Sequence, residues 1–567
     1  MVKSWYKKFM AAVIAGSMVL GMAACGQKDT APTAGTEQTE LSAAGVEETT
    51  ALADYVNMDS YLPICKEPIT ITVTGDEQAS NWAESDIVKY IGEEMGIQFD
   101  CNPFKSDAWK TQFNLIMASG ELPDMMMRVI VDIAEINKYG KDGYFLPLNE
   151  YLDYMPAFKA FLEEHPDYAS VITADDGNIY GLTQYDENEV NMLTRSFINQ
   201  VWLDNLGLEV PKTVDELYNV LKAFKEQDAN GNGDPNDEIP LSGNYTSLLQ
   251  LMHAFGIFSN DMTYSPVVDA DGKVSLAQAS DNYKAMLEFL HKLYEEGLYD
   301  KDGLVQTNDE LNAKFAEDRI GCFTTGSAPY VHAKQDITYD LNWAYMDGLT
   351  SDYNDVPAAV YKSGVSNLVR IVVSADTKYP EAICRWIDWL YTDEGAIMAS
   401  NGVEGIGYAY EDVDFLPGVK VIVTQNPDPA NYASAEQYRY MKSVCNVAMN
   451  VRTPYVSSWA QIMTELTDDQ LKIDGVREKN GWSCLLEEGR RSLTRVDAFP
   501  VLVYTGDEAA RRSTIMTDVK MYLEQSFGQF VTGELDIDAN WDTYLKTLNE
   551  TGLEELMAIE QAAYDRR

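Results

Sequence analysis

Histidine is scarce in this chain. Four occur in 567 residues, His165, His253, His291 and His332, with no H-E-x-x-H or other paired spacing, so a histidine metal centre has no local support. The seven cysteines, Cys25, Cys65, Cys101, Cys322, Cys384, Cys445 and Cys484, include no C-x-x-C pair. That excludes a zinc ribbon or a dithiol redox motif. Positive charge is thin: 43 Lys and Arg stand against 90 Asp and Glu, a formal net charge of −47. Such a surface repels phosphate backbones and anionic headgroups, which argues against nucleic acid and for solubility outside a cell. No P-loop and no G-x-S-x-G is present. The stretch Gly402–Gly407, GVEGIG, lacks the G-x-G-x-x-G order and does not run from strand into helix, so a nucleotide reading fails. Past residue 24 no run is long and apolar enough to cross a membrane.

What is present is the composition of folded protein. Apolar residues make up 46% and charged residues 23%, enough for more than one core. Residues 1–24 begin with Lys3, Lys7 and Lys8, pass through an apolar stretch from Phe9 to Met22 and end on small residues. That is a secretory signal peptide. Its end, Met22-Ala23-Ala24-Cys25-Gly26, resembles the bacterial lipobox, which implies lipid (palmitate) on Cys25 and anchoring at the outer face of the cell membrane. The Thr-, Ala-, Glu- and Gly-rich stretch that follows buries too little to order itself, so residues 25–61 read as a lipidated cysteine and disordered tether.

From residue 65 the pattern alternates. Ile69–Val73 and Ile97–Asp100 read as strands, Ser85–Met95 and Trp109–Ala118 as helices, and Leu122–Val129 as a third strand. Strand, helix, strand, helix, strand is the signature of a parallel α/β layer. Thr213 and Glu216 form a T-x-x-E capping box ahead of a stripe of Leu217, Val220, Leu221 and Phe224. A second stripe from Tyr283 to Tyr294 ends at Gly297, and Pro380 opens a third with Trp386 on its apolar face. Glu508–Glu524 reads as helix.

Several stretches resemble the extracellular solute-binding protein family 1 in its long lipoprotein branch. They include ASGELPD (Ala118–Asp124), DGNIYGL (Asp176–Leu182), the segment Trp202–Gly233, DEIPLSG (Asp237–Gly243), Lys378–Ala396 and Phe530–Arg566. The resemblance implies the type 2 periplasmic-binding-protein fold, α/β, with two discontinuous lobes, a hinge and a central ligand cleft. It places lobe one at 62–187 plus 366–450 and lobe two at 188–365 plus 451–567. It also implies a function: a monomeric substrate-binding lipoprotein of a bacterial ABC importer, capturing a carbohydrate, an oligosaccharide above all, for its permease.

The sharpest local chemistry is Asp228-Ala-Asn230-Gly-Asn232-Gly233-Asp234-Pro-Asn236-Asp237-Glu238. Oxygen donors recur at positions 1, 3 and 5 with glycine at 6, the leading positions of a calcium loop. Glu238 falls at 11 rather than 12, and Pro240 rules out a helix immediately after, so this is not a helix–loop–helix sensor. The loop resembles the structural Ca2+ loop of the family's alginate-oligosaccharide-binding members. Asp228, Asn230, Asn232 and Asp234 are candidate ligands with Asp237 and Glu238, and which of Asn236, Asp237 and Glu238 coordinates stays open.

In this fold the ligand sits at strand C-terminal ends and at inter-lobe crossings. That nominates Trp82, Asp124, Tyr185, Tyr245, Trp343, Glu404 and Trp459, with aromatic faces as platforms for sugar rings. Two rivals to a binding protein of this kind stand: a peptide-binding or adhesive surface lipoprotein, and a surface glycoside hydrolase. The second needs a carboxylate pair at a set spacing, for which no motif speaks, and the chain is not expected to be an enzyme.

Overall fold

The computed structural model describes residues 52–77, 82–188, 195–243, 248–324, 337–414, 416–444 and 449–567. Cys25, Tyr245 and Cys445 lie outside the described residues.

The first strand, β1 (Ile69–Glu77), is an alternation of β-branched and small residues whose second half is fully buried. The helix Asp86–Glu94 follows, with Gly96 beyond its end at φ 76°. β2 (Ile97–Cys101) then pairs parallel to β1. After β3 (Phe104–Lys105) and the helix Ser106–Ser119, β4 (Met125–Met127) adds to the other side of β1, again parallel. The strand expected over Leu122–Val129 is thus cut to three residues. The reason lies in the backbone: Arg128 and Ile130 both turn to φ 49°, a conformation that ends a strand and is strained for a β-branched residue.

β5 (Leu182–Asp186), β13 (Val365–Val373) and β16 (Arg452–Thr453) complete this sheet. Its order is β16-β5-β13-β4-β1-β2, with β3 also on β1. β13 runs antiparallel to both β4 and β5, and β16 runs parallel to β5. All its strands except β13 therefore point the same way, and their C-terminal ends form one edge: Glu77, Cys101, Lys105, Met127, Asp186 and Thr453.

A second sheet has the order β11-β6-β10-β7, built from β6 (Ser196–Asn199), β7 (Ile239–Leu241), β10 (Ile320–Thr324) and β11 (Trp343–Tyr345). β6 is antiparallel to β10 and β11, and β10 is parallel to β7. Here too one edge gathers the C-terminal ends Leu241, Thr324 and Tyr345. Smaller pairs are β8 (Pro266–Val268) with β9 (Val274–Leu276), β12 (Ala358–Tyr361) with β17 (Thr494–Asp497), and β14 (Tyr408–Asp412) with β15 (Lys420–Thr424).

Two separate cores form around the two sheets. One joins residues between Val56 and Leu182 with residues between Val365 and Val451. The other joins residues between Ile198 and Leu349 with Ile515–Leu556. The two sheets with their cores make a two-lobed α/β architecture. The helix Pro380–Leu390 carries the first core, with every residue from Ala382 to Leu390 buried and Trp386 edge-on to Phe99 at 5.3 Å. The helix Gly506–Thr532 carries the second and is opened by a capping box of Thr505 and Glu508. The hairpin β14–β15 does not join the first core alone: Val413 and Val421 pack on Ile462, Met463 and Leu471.

Two expectations are corrected. The tether does not extend to residue 61. Val56 is buried, Tyr55 donates to Glu381 at 2.7 Å and Tyr61 to Asp388 at 2.7 Å, so the chain from Ala53 belongs to the folded body. At the helix Val214–Glu226, Thr213 accepts from the Glu216 amide as expected, but the Glu216 carboxylate reaches back to the Lys212 amide at 2.7 Å rather than to Thr213. Among the described residues no helix is long and apolar enough to cross a membrane.

Candidate functional site

The chain passes between the sheets at their C-terminal edges. β5 of the first sheet ends at Asp186 and β6 of the second begins at Ser196, and β13 of the first sheet is entered at Val365 from β12, which pairs with β17 and packs on the second sheet through Ala359 and Tyr361. Just past the end of β16, Tyr455 ties back to the first crossing, its amide donating to Glu187 at 3.2 Å. Both sheets thus turn their C-terminal ends toward the crossings, where open α/β sheets bind ligands.

A row of polar side chains runs along this edge. At the end of β1, Asp76 accepts from Arg128 Nε at 2.9 Å and from the Ser106 hydroxyl. Arg128 follows Met127, the last residue of β4, Arg370 precedes Ile371, the partner of Met127 on β13, and the two guanidiniums share the field of Asp76. Arg370 Nη2 donates to Gln184 Oε1 at 2.7 Å, and Gln184 Nε2 donates to Thr453 at 2.8 Å. Arg370 Nε is buried and makes no hydrogen bond. Burial and the neighbouring Arg128 push the Arg370 guanidinium down to about 10.

The row continues across the hinge. Alternate residues of a strand share a face, so Asp186 follows Gln184, and it lies in the field of Lys362 and Arg195. Burial pushes Arg195 down to about 10 while Tyr345, Asp186 and Asp347 hold it up. Asp347, two residues past the end of β11, is pushed up to about 7 by burial, against the pull of Tyr345, Ser196 and Arg195. From Asp76 to Asp347 the stripe is rich in guanidinium, ammonium and amide donors, set for a ligand covered in oxygen acceptors.

The residues nominated from sequence fare unevenly. Trp82 is fully buried in the first core, and Trp343 is 2% exposed among Phe315 and Phe323; neither offers a ring face to a ligand. Asp124 precedes β4 and so sits at the opposite end of the sheet. There its carboxylate is saturated by the Thr72 amide, the Thr72 hydroxyl and the Thr377 hydroxyl, each at 2.8 Å. Tyr185 lies on the expected strand but on its other face, packed against Phe161, His165 and Tyr168. Trp459 opens a helix that packs under the hairpin β14–β15. Glu404 lines a recess of about 860 Å³ with Glu394, Tyr90, Tyr408 and Tyr410. Sequence reading missed Arg370, Arg128, Gln184 and Arg195. A signal for Arg370 was there: it is the one charged residue of VSNLVRIVV.

The Asp228 loop follows a helix and exits into β7, as its Pro240 requires. Gly231 and Gly233 take φ 74° and 95°, which glycine alone adopts without cost. Asp228 accepts from the Gly233 amide at 2.9 Å, Asn230 from Asn232 at 3.0 Å and Asn232 from Asp234 at 2.7 Å, a chain of side-chain-to-backbone turns. Asp237 is held by the amides of Asn230 and Asn232 at 3.2 and 2.8 Å. Asp228 Oδ1 and Glu238 Oε2 are buried acceptors with no hydrogen-bond partner. Among the described residues no three His, Cys, Asp or Glu side chains converge into a ready cage.

The sequence profile of the bacterial extracellular solute-binding proteins matches residues 84–397, more than half the chain. The chain belongs to this family. Within it, the fructooligosaccharide ABC transporter substrate-binding protein FusA of Streptococcus pneumoniae is 27% identical over 554 residues, covering 93% of this chain and 95% of FusA. The lipoprotein LipO of Bacillus subtilis is 28% identical over 351 residues, 57% of this chain and 63% of LipO. FusA in complex with kestose superposes with a TM-score of 0.71 at 25% identity, over 88% of this chain and 99% of that one. A FusA EF-hand mutant in complex with fructo-nystose superposes equally well, with a TM-score of 0.71 at 24% identity and the same coverage.

Proposed function

We propose that this solute-binding protein captures an oligosaccharide between its lobes by hinge closure and hands it to the permease of an ABC importer, without chemical turnover. The observation that carries the reading is the stripe of Arg128, Arg370, Gln184 and Arg195 along the facing sheet edges. Planar guanidinium and amide groups suit the many acceptor oxygens of a sugar, and a rigid sheet edge holds them in register. The family and the sugar-binding of FusA support it. Lobe one comprises 62–187, extended back to Ala53, plus 366–450; lobe two comprises 188–365 plus 451–567. Glu404 and its tyrosines are secondary candidates for contact. The protein acts as a monomer, tied to the outer face of the membrane through lipid on Cys25, a reading that the lipobox and the lipoprotein relative support.

The Asp228 loop is proposed as a structural calcium site. Two buried acceptor oxygens without a partner suit a hard cation, which takes six to eight oxygens. Asp228 and Glu238 would hold the ion, joined by Asp237, Asn230, Asn232 and Asp234 as the asparagine amides turn their oxygens inward; Asn236 is the least favoured of the three C-terminal candidates. The ion would clamp the helix Val214–Glu226 to β7 and take no part in ligand chemistry.

The test is a thermal-shift screen of residues 53–567 against oligosaccharides and peptides, with reducing-sugar release followed in parallel. Stabilisation by one glycan class without release supports capture. Stabilisation by peptides alone, or release of reducing sugar, overturns it.

A further inference from the structure

The stripe is less acidic than the chain. Acids outnumber bases about twofold over the whole sequence, yet along the edge between the sheets Arg128, Arg370, Arg195 and Lys362 stand among Asp76, Asp186 and Asp347. Arg370 is the telling member. It feels a second guanidinium, that of Arg128, which follows the last residue of β4 beside it. Its one hydrogen bond is to the neutral amide of Gln184, and its buried Nε is unused. Asp76, whose field it feels, is already engaged by Arg128 and Ser106. Holding a partly buried cation without a dedicated counter-charge costs free energy, and here it sits at the edge assigned to the ligand.

We propose that the oligosaccharide carries an oxyanion, a uronate carboxylate or a sulfate ester, which docks on Arg370 in the closed cleft. The inference rests on the oligosaccharide reading above and narrows it to acidic sugars. A guanidinium with an open edge matches the paired oxygens of either anion, and the charge-assisted bonds it forms are about twice as strong as neutral ones. The acidic outer surface does not forbid this. Its repulsion is screened beyond roughly 8 Å at physiological ionic strength, while the stripe acts at contact.

The experiment is isothermal titration of the full body, residues 53–567, with matched pairs. One set is oligogalacturonate, oligomannuronate and glucuronate-bearing xylo-oligosaccharides, each beside its methyl ester. The other is sulfated galacto-oligosaccharides beside the unsulfated form. The expected result is that one acidic member binds at least tenfold more tightly than its neutral partner, by an amount that shrinks as salt is raised. In Arg370→Gln that margin disappears, because affinity for the acidic member falls by at least tenfold more than affinity for its neutral partner. Neutral forms, fructo-oligosaccharides included, that bind as tightly as or more tightly than acidic ones overturn the inference and leave the oligosaccharide reading standing. Failure of every sugar, acidic and neutral, overturns both. Should Arg370→Gln fail to fold, the comparison of acid and ester on the unaltered protein decides alone.

Discussion

Arg452, the first residue of β16, grips Glu187 on the first crossing with two nitrogens, the second at 3.3 Å. Its guanidinium also holds Asp393 at 2.9 Å and the Tyr391 carbonyl at 2.7 Å. One side chain thus ties two segments beside the hinge to a helix of the first lobe. Its side chain and that of Glu187 are only 13% and 14% exposed, so the pair belongs to the class whose disruption is costly rather than to surface ion pairs. Arg452→Met leaves Glu187 buried and unpaired. The expected loss, read by urea unfolding, is about 3 kcal/mol; a loss below about 0.5 kcal/mol would show the pair to be ornamental.

Gly75 lies where β1 passes under the strained end of β4. A Cβ there would sit 1.7 Å from the Met127 carbonyl oxygen and 2.8 Å from Trp82. Backbone cannot yield as a flexible side chain can. Gly75→Ala is expected to destabilise the first lobe by about 2 kcal/mol or more and to weaken ligand binding, because Asp76 and Arg128 are displaced with it. Circular-dichroism melts check the first effect and titration the second.

His253 is buried and its Nε2 bonds the Ser259 carbonyl at 2.7 Å. Burial pushes its imidazole down to about 4 from 6.5. With the folded value below the unfolded one, the unfolded chain binds more protons between these limits. This contribution is fully present above pH 6.5 and is lost as pH falls toward 4, about 3 kcal/mol in all. The four histidines make the check direct: in selectively labelled protein, the His253 resonance is expected to hold its neutral position at pH 5.5. Titration of that resonance near 6.5 would contradict the assignment.

Calcium is expected to stabilise the folded body, by about 2.7 kcal/mol at a hundredfold excess over its Kd. Chelation removes the gain, and Asp228→Ala abolishes the response to calcium without altering sugar affinity by more than a small factor. Equal melting temperatures with calcium and with chelator would remove the ion from the account.

The strands and helices of this fold were legible because their patterns are local. β1, β2 and the helix Asp86–Glu94 follow from β-branched runs, apolar spacing and a terminal glycine. The candidate site was less legible because it depends on which face of a strand meets the cleft. Tyr185 and Gln184 are neighbours in sequence, and a period of two sends one into the aromatic packing of the first lobe and the other to the ligand edge. Trp82 and Trp343 read as platforms by residue type, but position in the core decides for packing. Asp124 follows a recognisable turn, yet only the parallel pairing of β4 with β1 shows that it stands at the far end of the sheet.

The most direct measurement is binding of the labelled body, residues 53–567, to an array of defined glycans, alongside Gln184→Leu. Selective retention on one oligosaccharide class is expected for the unaltered protein, with loss of that retention in Gln184→Leu at a temperature where the variant is still folded, its melting temperature lowered because Arg370 and Thr453 lose their bonds to Gln184. Binding to no glycan, or undiminished binding by the variant, would contradict the assignment of the sheet-edge stripe as the sugar site.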